Sequence, residues 1–268
     1  MGYKAIILDV DGTLRANSET GVRPAVAKAV KAVQKQGVKV VIATGRTHFA
    51  INSEMLGGIK PDYAVCANGA QVVDKSGRFL HMQTMTPEEM YALVDYCEDF
   101  DYPLTFNFSD NYYAYVEYKH MRDFYHQATG HGEHIVDGED QDRHLEDMPV
   151  GAFAIMPPHA LQEFEERYGY LNLQFVSYRP GYYDVIQQNV NKASGVQHLL
   201  NHTGWKPEEL VSMGDNDNDV PLMQFVGLSY CMADGSEQAK AAATRIAPSA
   251  EEEGVRVVLE QLFLNGAE

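Results

Sequence analysis

Asp9 and Asp11 stand two residues apart at the end of the apolar run Ile6-Ile7-Leu8, and Gly12-Thr13 follows at once. Carboxylates crowded into one cleft repel each other unless a cation joins them. Such a pair invites Mg²⁺, which prefers oxygen ligands and keeps several of its waters. The alternative is a strand end followed by an Asp-Gly turn, one of the commonest turn signals. Three further groups carry chemistry-bearing side chains: Thr44-Gly45-Arg46, Asn191-Lys192, and Gly214-Asp215-Asn216-Asp217-Asn218-Asp219.

The elements that must position these residues are short and apolar. A run without alternation, such as Ile6 to Leu8, is what a parallel-sheet strand shows when helices cover both its faces. Ligands bind such sheets at the carboxyl ends of the strands, where Asp9 and Asp11 emerge. Arg23 to Gln36 carries Val26, Val30 and Val33 at helical spacing, with Pro24 near its start and Gly37 past its end. Val38 to Ala43 predicts a second buried strand ending at Thr44, His48 to Leu56 predicts a helix, and Tyr63 to Ala67 predicts a third strand. A hairpin is expected around Asp74 to Gly77. The alternation of strand and helix implies a parallel sheet with crossovers.

The pattern changes near Met85. Thr86-Pro87-Glu88-Glu89 is a helix start with a capping box. The tyrosine-rich stretch beyond it predicts strands at Leu104 to Phe108, Tyr112 to Glu117, Val150 to Met156, Leu173 to Ser177 and Tyr182 to Ile186. Helices are expected from Lys119 and after Pro157-Pro158. The first pattern then returns, with a helix over Ala193 to Asn201 and a strand over Leu210 to Met213 that runs into the acidic Gly214 to Asp219 segment. The expected fold class is α/β. A doubly wound parallel-sheet core, Rossmann-like, spans 1–84 and 187–268, and an α+β domain spans 85–186.

The 268 residues hold 38 acids against 21 lysines and arginines, a formal charge of −17. That balance argues against non-specific binding to nucleic acid or an anionic membrane surface. It leaves room for a phosphorylated small molecule, because a bound metal and a few local cations reverse the potential inside one cleft. Cys66, Cys97 and Cys231 are widely spaced and odd in number, as reduced thiols of a cytosolic protein are. No basic-then-apolar leader opens the chain, and no apolar stretch approaches the ~18 residues of a membrane span. We expect a cytoplasmic protein.

Taken in order, the four groups resemble the motifs of the haloacid dehalogenase (HAD) superfamily, specifically the Cof-type phosphatases with a type IIB cap. The resemblance covers nearly the whole chain, including the inserted domain, Asn68-Gly69-Ala70 and Glu253-Gly254-Val255. It implies a phosphatase of small phosphorylated metabolites, sugar phosphates first, working through an aspartyl-phosphate. Asp9 is then the nucleophile and Asp11 the general acid and base. Mg²⁺ is held by Asp9, by the backbone carbonyl of Asp11 and by Asp215. Asp219 supports these ligands from behind, and Asn218 contacts the phosphate or Lys192. Thr44 and the Gly45 amide bind phosphoryl oxygens, unless Thr44 serves as a helix N-cap. Lys192 neutralises the phosphoryl charge, although a lysine ahead of a helix is ordinarily a solvated one. Arg46 either approaches the substrate or pairs with a surface carboxylate.

The chain departs from its relatives at Asp217, where many carry a neutral residue, and at Met232-Ala233-Asp234-Gly235, where Met-Gly-Asn-Ala is frequent. In the inserted domain, Tyr113 and Tyr115 share a strand face, as a ligand platform or as sheet packing. Arg179 and Tyr182 flank the Pro180-Gly181 turn as candidate substrate contacts or plain turn residues. His131 and His134, with His120, His126 and His144 near them, read as an exposed polar stretch rather than a metal site. A phosphomutase, or a non-catalytic phosphometabolite-binding regulator, stands as the alternative function. Oligomeric state is not written in these residues.

Overall fold

The computed structural model describes residues 2–128 and 134–264. Two compact units divide the chain, Met1–His81 with Asn191–Glu268, and Met82–Val190. The first unit opens with strand β1 (Ala5–Leu8), helix α1 (Pro24–Lys35), β2 (Lys39–Ala43), β3 (Tyr63–Cys66), β4 (Gln71–Asp74) and β5 (Phe79–Met82). The second holds α2 (Pro87–Asp99), β6 (Leu104–Asn107), β7 (Tyr112–Val116), α3 (Tyr118–Ala128), β8 (Ile135–Asp137), β9 (Gly151–Ile155), α4 (Pro158–Tyr168), β10 (Leu173–Arg179) and β11 (Tyr182–Gln187). The chain then completes the first unit with α5 (Lys192–Thr203), β12 (Leu210–Gly214), α6 (Val220–Phe225), β13 (Leu228–Met232), α7 (Glu237–Ala242), β14 (Arg245–Ala247) and α8 (Gly254–Leu259).

The eight-stranded sheet runs β14-β13-β12-β1-β2-β3-β4-β5. Its strands are parallel from β14 to β3, and β4 then turns back antiparallel on β3. β1 lies in the middle, buried on both faces as its unbroken apolar run requires. Ile6 and Leu8 join Val26, Val30, Val255 and Val258 of α1 and α8 on one face. Ala5 and Ile7 join Val196, Leu199 and Leu200 of α5 on the other. The register sets Leu8 beside both Ile42 and Met213. Asp9, Thr44 and Asp215 therefore leave the sheet at the same edge.

The expected helix over His48 to Leu56 does not form. Only His48–Ala50 makes a short 3₁₀ turn, and Ile51 then adopts an extended backbone, φ −104° and ψ 118°. The segment continues as turns. The Asn52 side chain accepts from the Met55 N–H at 2.8 Å, and Gly57 and Gly58 follow at positive φ. Asparagine and glycine here satisfy the backbone locally and outcompete a helix that the apolar spacing alone would support.

In the second unit the sheet order is β10-β11-β9-β6-β7-β8, antiparallel apart from the parallel β7–β8 pair. One face packs Phe106, Tyr115, Ala152 and Val185 against Leu93, Tyr96 and Phe164 of α2 and α4. On the other face Phe124 of α3 stacks on Phe153 with ring centroids 5.3 Å apart. The predicted capping box is present: Glu89 N–H donates to Thr86 Oγ1 at 3.2 Å and Thr86 N–H to Glu89 Oε2 at 2.8 Å. Gln187 Nε2 donates to that same Glu89 oxygen, and Gln83 Nε2 donates to Gln187 Oε1. The first and last residues of the unit are thereby tied together.

Asp184 on β11 lies in register between Phe153 and Val176, and no cation or hydrogen-bond donor meets its carboxylate among the described residues. Burial alone pushes its pKa up to about 7. The folded chain therefore holds a proton that the unfolded chain has lost, and stability falls as pH rises from about 4 to about 7. Asp184→Asn is expected to raise stability above pH 7 by about 1–2 kcal/mol, allowing for the water that still reaches the carboxylate, and to change nothing below pH 4. Thermal melts of both proteins across that range check this, and a parallel loss at every pH would contradict it.

Candidate active site

Asp9 follows β1 directly, its N–H donating to Met213 O at 3.0 Å, and its side chain is buried. Lys192 opens α5, where the Asn191 side chain caps the helix by accepting from Ser194 N–H. Its ammonium is 0% exposed and bridges Asp9 Oδ1 at 2.7 Å and Asp219 Oδ1 at 2.6 Å. Asp219 Oδ2 accepts the Asp215 and Asn216 N–H groups at 3.0 and 3.2 Å, which shapes the loop after β12. Both oxygens of Asp219 are therefore occupied. Asp215 keeps one oxygen on the Thr13 hydroxyl at 2.9 Å. Gly12 is required by this packing: it sits at φ +82°, and a β-carbon there would collide with the Asp215 carboxylate.

Asp9, Asp215 and Asp219 each bring an oxygen within 4.8 Å of the others. Three carboxylates against one ammonium leave two negative charges uncompensated. Burial raises the Asp9 pKa well above its ordinary value, Lys192 pulls it down, and Asp219 and Asp215 raise it further. Asp215 is pushed up to about 6 by burial and by Asp219. For Lys192 burial opposes the charge, but Asp219 and Asp9 overcome it and hold the ammonium protonated. An all-oxygen donor set with an excess of two negative charges fits a hard divalent cation.

Asp11 is absent from this cluster because its carboxylate points to two guanidiniums. Arg46 Nε donates to Oδ2 at 2.6 Å and its second nitrogen to Oδ1 at 3.0 Å. Arg15, brought alongside by a single bridge between Asp11 and Arg15, also holds Oδ1. Burial raises the Asp11 pKa, yet the two guanidiniums prevail and hold it below the usual carboxylate range. Arg46 thus pairs with a site carboxylate rather than with an unrelated surface acid. Arg46→Gln is expected to move the Asp11 titration upward toward the ordinary aspartate value, and carboxyl-carbon NMR against pH measures it. An unmoved midpoint would mean that Arg15 alone fixes the charge.

Thr44 is buried, and its hydroxyl oxygen accepts the Arg46 N–H at 3.2 Å in a tight turn. It caps no helix. Gly45 lies against the Asn68 side chain. Asn218 makes no hydrogen bond to Lys192 among the described residues and donates from Nδ2 to Asn68 Oδ1 at 3.0 Å. Ala67 and Asn68 stand at φ 48° and 53°, a left-handed conformation that costs about 1 kcal/mol or more at each non-glycine residue. That backbone, held by hydrogen bonds from Ala67 N to Arg46 O and Asn68 N to Thr44 O, turns Asn68 toward Asn218. Sequence reading missed Arg15 and the part played by Asn68. A basic residue four positions after Asp11 was the available signal for the first.

The remaining sequence candidates lie in the 82–190 unit. Tyr113 packs its ring edge-on to Phe108 and gives its hydroxyl to Asp110 at 2.8 Å, while Tyr115 is buried. Both take part in sheet packing. Arg179 lies over the Tyr182 ring. His144 hydrogen-bonds through its two ring nitrogens to Tyr91 and Tyr115, and His131 lies outside the described residues. All three cysteines are buried free thiols. No described helix is long and apolar enough to cross a membrane.

Residues 6–259 match the family described as haloacid dehalogenase-like hydrolases, and the chain belongs to it. Phosphatase YwpJ of Bacillus subtilis is 24% identical over 302 residues, covering 97% of this chain and all of that protein. Among solved structures, a hypothetical protein of Geobacillus kaustophilus superposes with a TM-score of 0.85 at 25% identity, covering 98% of this chain and 100% of that one. The sugar phosphatase BT4131 of HAD subclass IIB shares the fold with a TM-score of 0.83 at 21% identity, over 97% and 99% of the two chains. The chain spans about half, 54% and 45%, of the lengths of two other curated relatives that it matches.

Proposed function

We propose that the chain is a Mg²⁺-dependent phosphatase of small phosphorylated metabolites, with sugar phosphates favoured. The observation that carries this reading is the buried Asp9 carboxylate at the end of β1, bridged by Lys192 and grouped with Asp215 and Asp219. Mg²⁺ bound by Asp9, Asp215 and the Asp11 backbone carbonyl would supply compensation for the carboxylates and the phosphoryl oxygens. Asp9 attacks phosphorus; the new P–O bond to Asp9 forms as the bond to the ester oxygen breaks, and that oxygen takes a proton from Asp11. Water then attacks the same phosphorus and gives a proton to Asp11, and the bond to Asp9 breaks to release inorganic phosphate. Thr44, the Gly45 amide, Asn218 and Lys192 hold the phosphoryl oxygens.

Asp11 can donate only when protonated, so its ion pairs with Arg46 and Arg15 belong to a resting arrangement that substrate must displace. Phosphate release from a panel of sugar phosphates, nucleotides, pyridoxal phosphate and an aryl phosphate, with Mg²⁺ or EDTA, tests the reading. Release that requires Mg²⁺ and favours sugar phosphates is expected. Isomeric phosphate in place of free sugar would replace it with a mutase, and silence across the panel from folded protein would remove it. The sugar preference draws on the shared fold of a sugar phosphatase, and the chemistry on the residues above.

A further inference from the structure

The 82–190 unit carries an open surface groove of about 590 Å³ between α3 and the β10–β11 turn, with Lys119, His120 and Arg179 exposed. Lys119, His120, Asp123, Phe124, Arg179 and Tyr182 line it. Arg179 is the unusual member. Every other described arginine gives its guanidinium to an oxygen of a carboxylate or hydroxyl. Among the described residues Arg245 also lacks an acidic partner, but it gives its guanidinium to the Tyr230 hydroxyl at 3.2 Å. Arg179 gives none among the described residues; its guanidinium carbon sits 3.4 Å from the Tyr182 ring centroid and 5.6 Å from that of Phe124. Stacking fixes the plane of the fork while leaving its N–H edges unused, which lowers the ordering cost of a bidentate contact.

Lys119 on the same wall makes no ion pair or hydrogen bond among the described residues. Of the two acids beside it, Asp123 is held by Arg122 at 2.8 Å, and Glu117 opposes the cations. Two cations, of which Lys119 joins Arg122 in lowering the Asp123 pKa, thus face the Glu117 carboxylate. We propose that this groove binds a small organic oxyanion, a phosphate ester or a carboxylate, through the forked edge of Arg179 with Lys119 as the second cation. Tyr182 and Phe124 offer apolar surface to the rest of the ligand. The inference stands on the 82–190 unit alone and does not depend on phosphatase chemistry.

The test is an amide NMR titration of the full chain in EDTA, with inorganic phosphate in one arm and citrate in the other. Amides of Lys119 to Phe124 and Arg179 to Tyr182 report this groove separately from those around Asp9. Saturable shifts there with either probe are expected, weakened about tenfold by Arg179→Gln, the loss of one charge-assisted pair. A response to phosphate alone assigns a phosphate ester, and to citrate alone a carboxylate. Unmoved amides in both arms, or unchanged affinity in a folded Arg179→Gln protein, would overturn the proposal.

Discussion

Asp9→Asn is expected to lower phosphate release by roughly 10³-fold or more, while leaving the metal-free protein at least as stable as the wild type. The two outcomes have one origin. An amide cannot attack phosphorus, so turnover stops. The same amide still accepts from Lys192, and it removes a carboxylate whose pKa is raised in the fold. A raised pKa means that the folded state favours the neutral acid. Its ionisation is therefore a cost to folding that grows as pH climbs above the ordinary aspartate range, and the substitution relieves it at neutral pH. Mg²⁺ should then stabilise the wild type more than the variant, because a cation bound only by the folded state adds to stability in proportion to its affinity. Phosphate release and melting temperature, each with EDTA and with Mg²⁺, are the measurements. Wild-type turnover in a folded Asp9→Asn protein would refute the nucleophile assignment.

Lys192→Met should be among the most destabilising substitutions in the chain. The ammonium has no solvent contact and is, among the described residues, the sole cation bonded to Asp9 and Asp219. Removing one partner of a buried ion pair leaves uncompensated charge, a loss of about 3–5 kcal/mol. Over a unit of this size that corresponds to a fall in melting temperature of roughly 10 °C. Adding Asp219→Asn should restore part of the loss, since the second change removes one of the orphaned charges. Additive losses in the double variant would show that the lysine stem, rather than its charge, supports the fold.

Much of the core was readable because its strands are covered on both faces, so that Ile6 to Leu8 and Leu210 to Met213 could not alternate. The Thr86–Glu89 box was readable because its partners sit three residues apart. The six-residue helices α6, α7 and α8 and the three-residue β14 went unplaced, being too short to show a period, and β13 went unplaced with them. The 48–56 segment misled because its apolar spacing was helical while Asn52 and two glycines favoured turns. At the site, carboxylates at strand ends announce themselves through charge and position. The Asn68–Asn218 contact spans 150 positions and depends on a left-handed backbone at Asn68, which no local pattern reveals.

β1 pairs Ala5 with Lys39 on one side and with Leu210 on the other. During synthesis the strand bearing Asp9 therefore acquires one neighbour early and waits for the second until the whole 82–190 unit has been made. Until then it presents an unpaired apolar edge, a template for aggregation. The Gln83–Gln187 contact, which ties the intervening unit's ends together, bears on this delay. A unit that folds promptly replaces a long flexible loop with a closed one, and the late strand arrives with less closure entropy to lose. The strand bearing Asp9 thus gains its second neighbour only after a segment that lies almost wholly outside its sheet has been made.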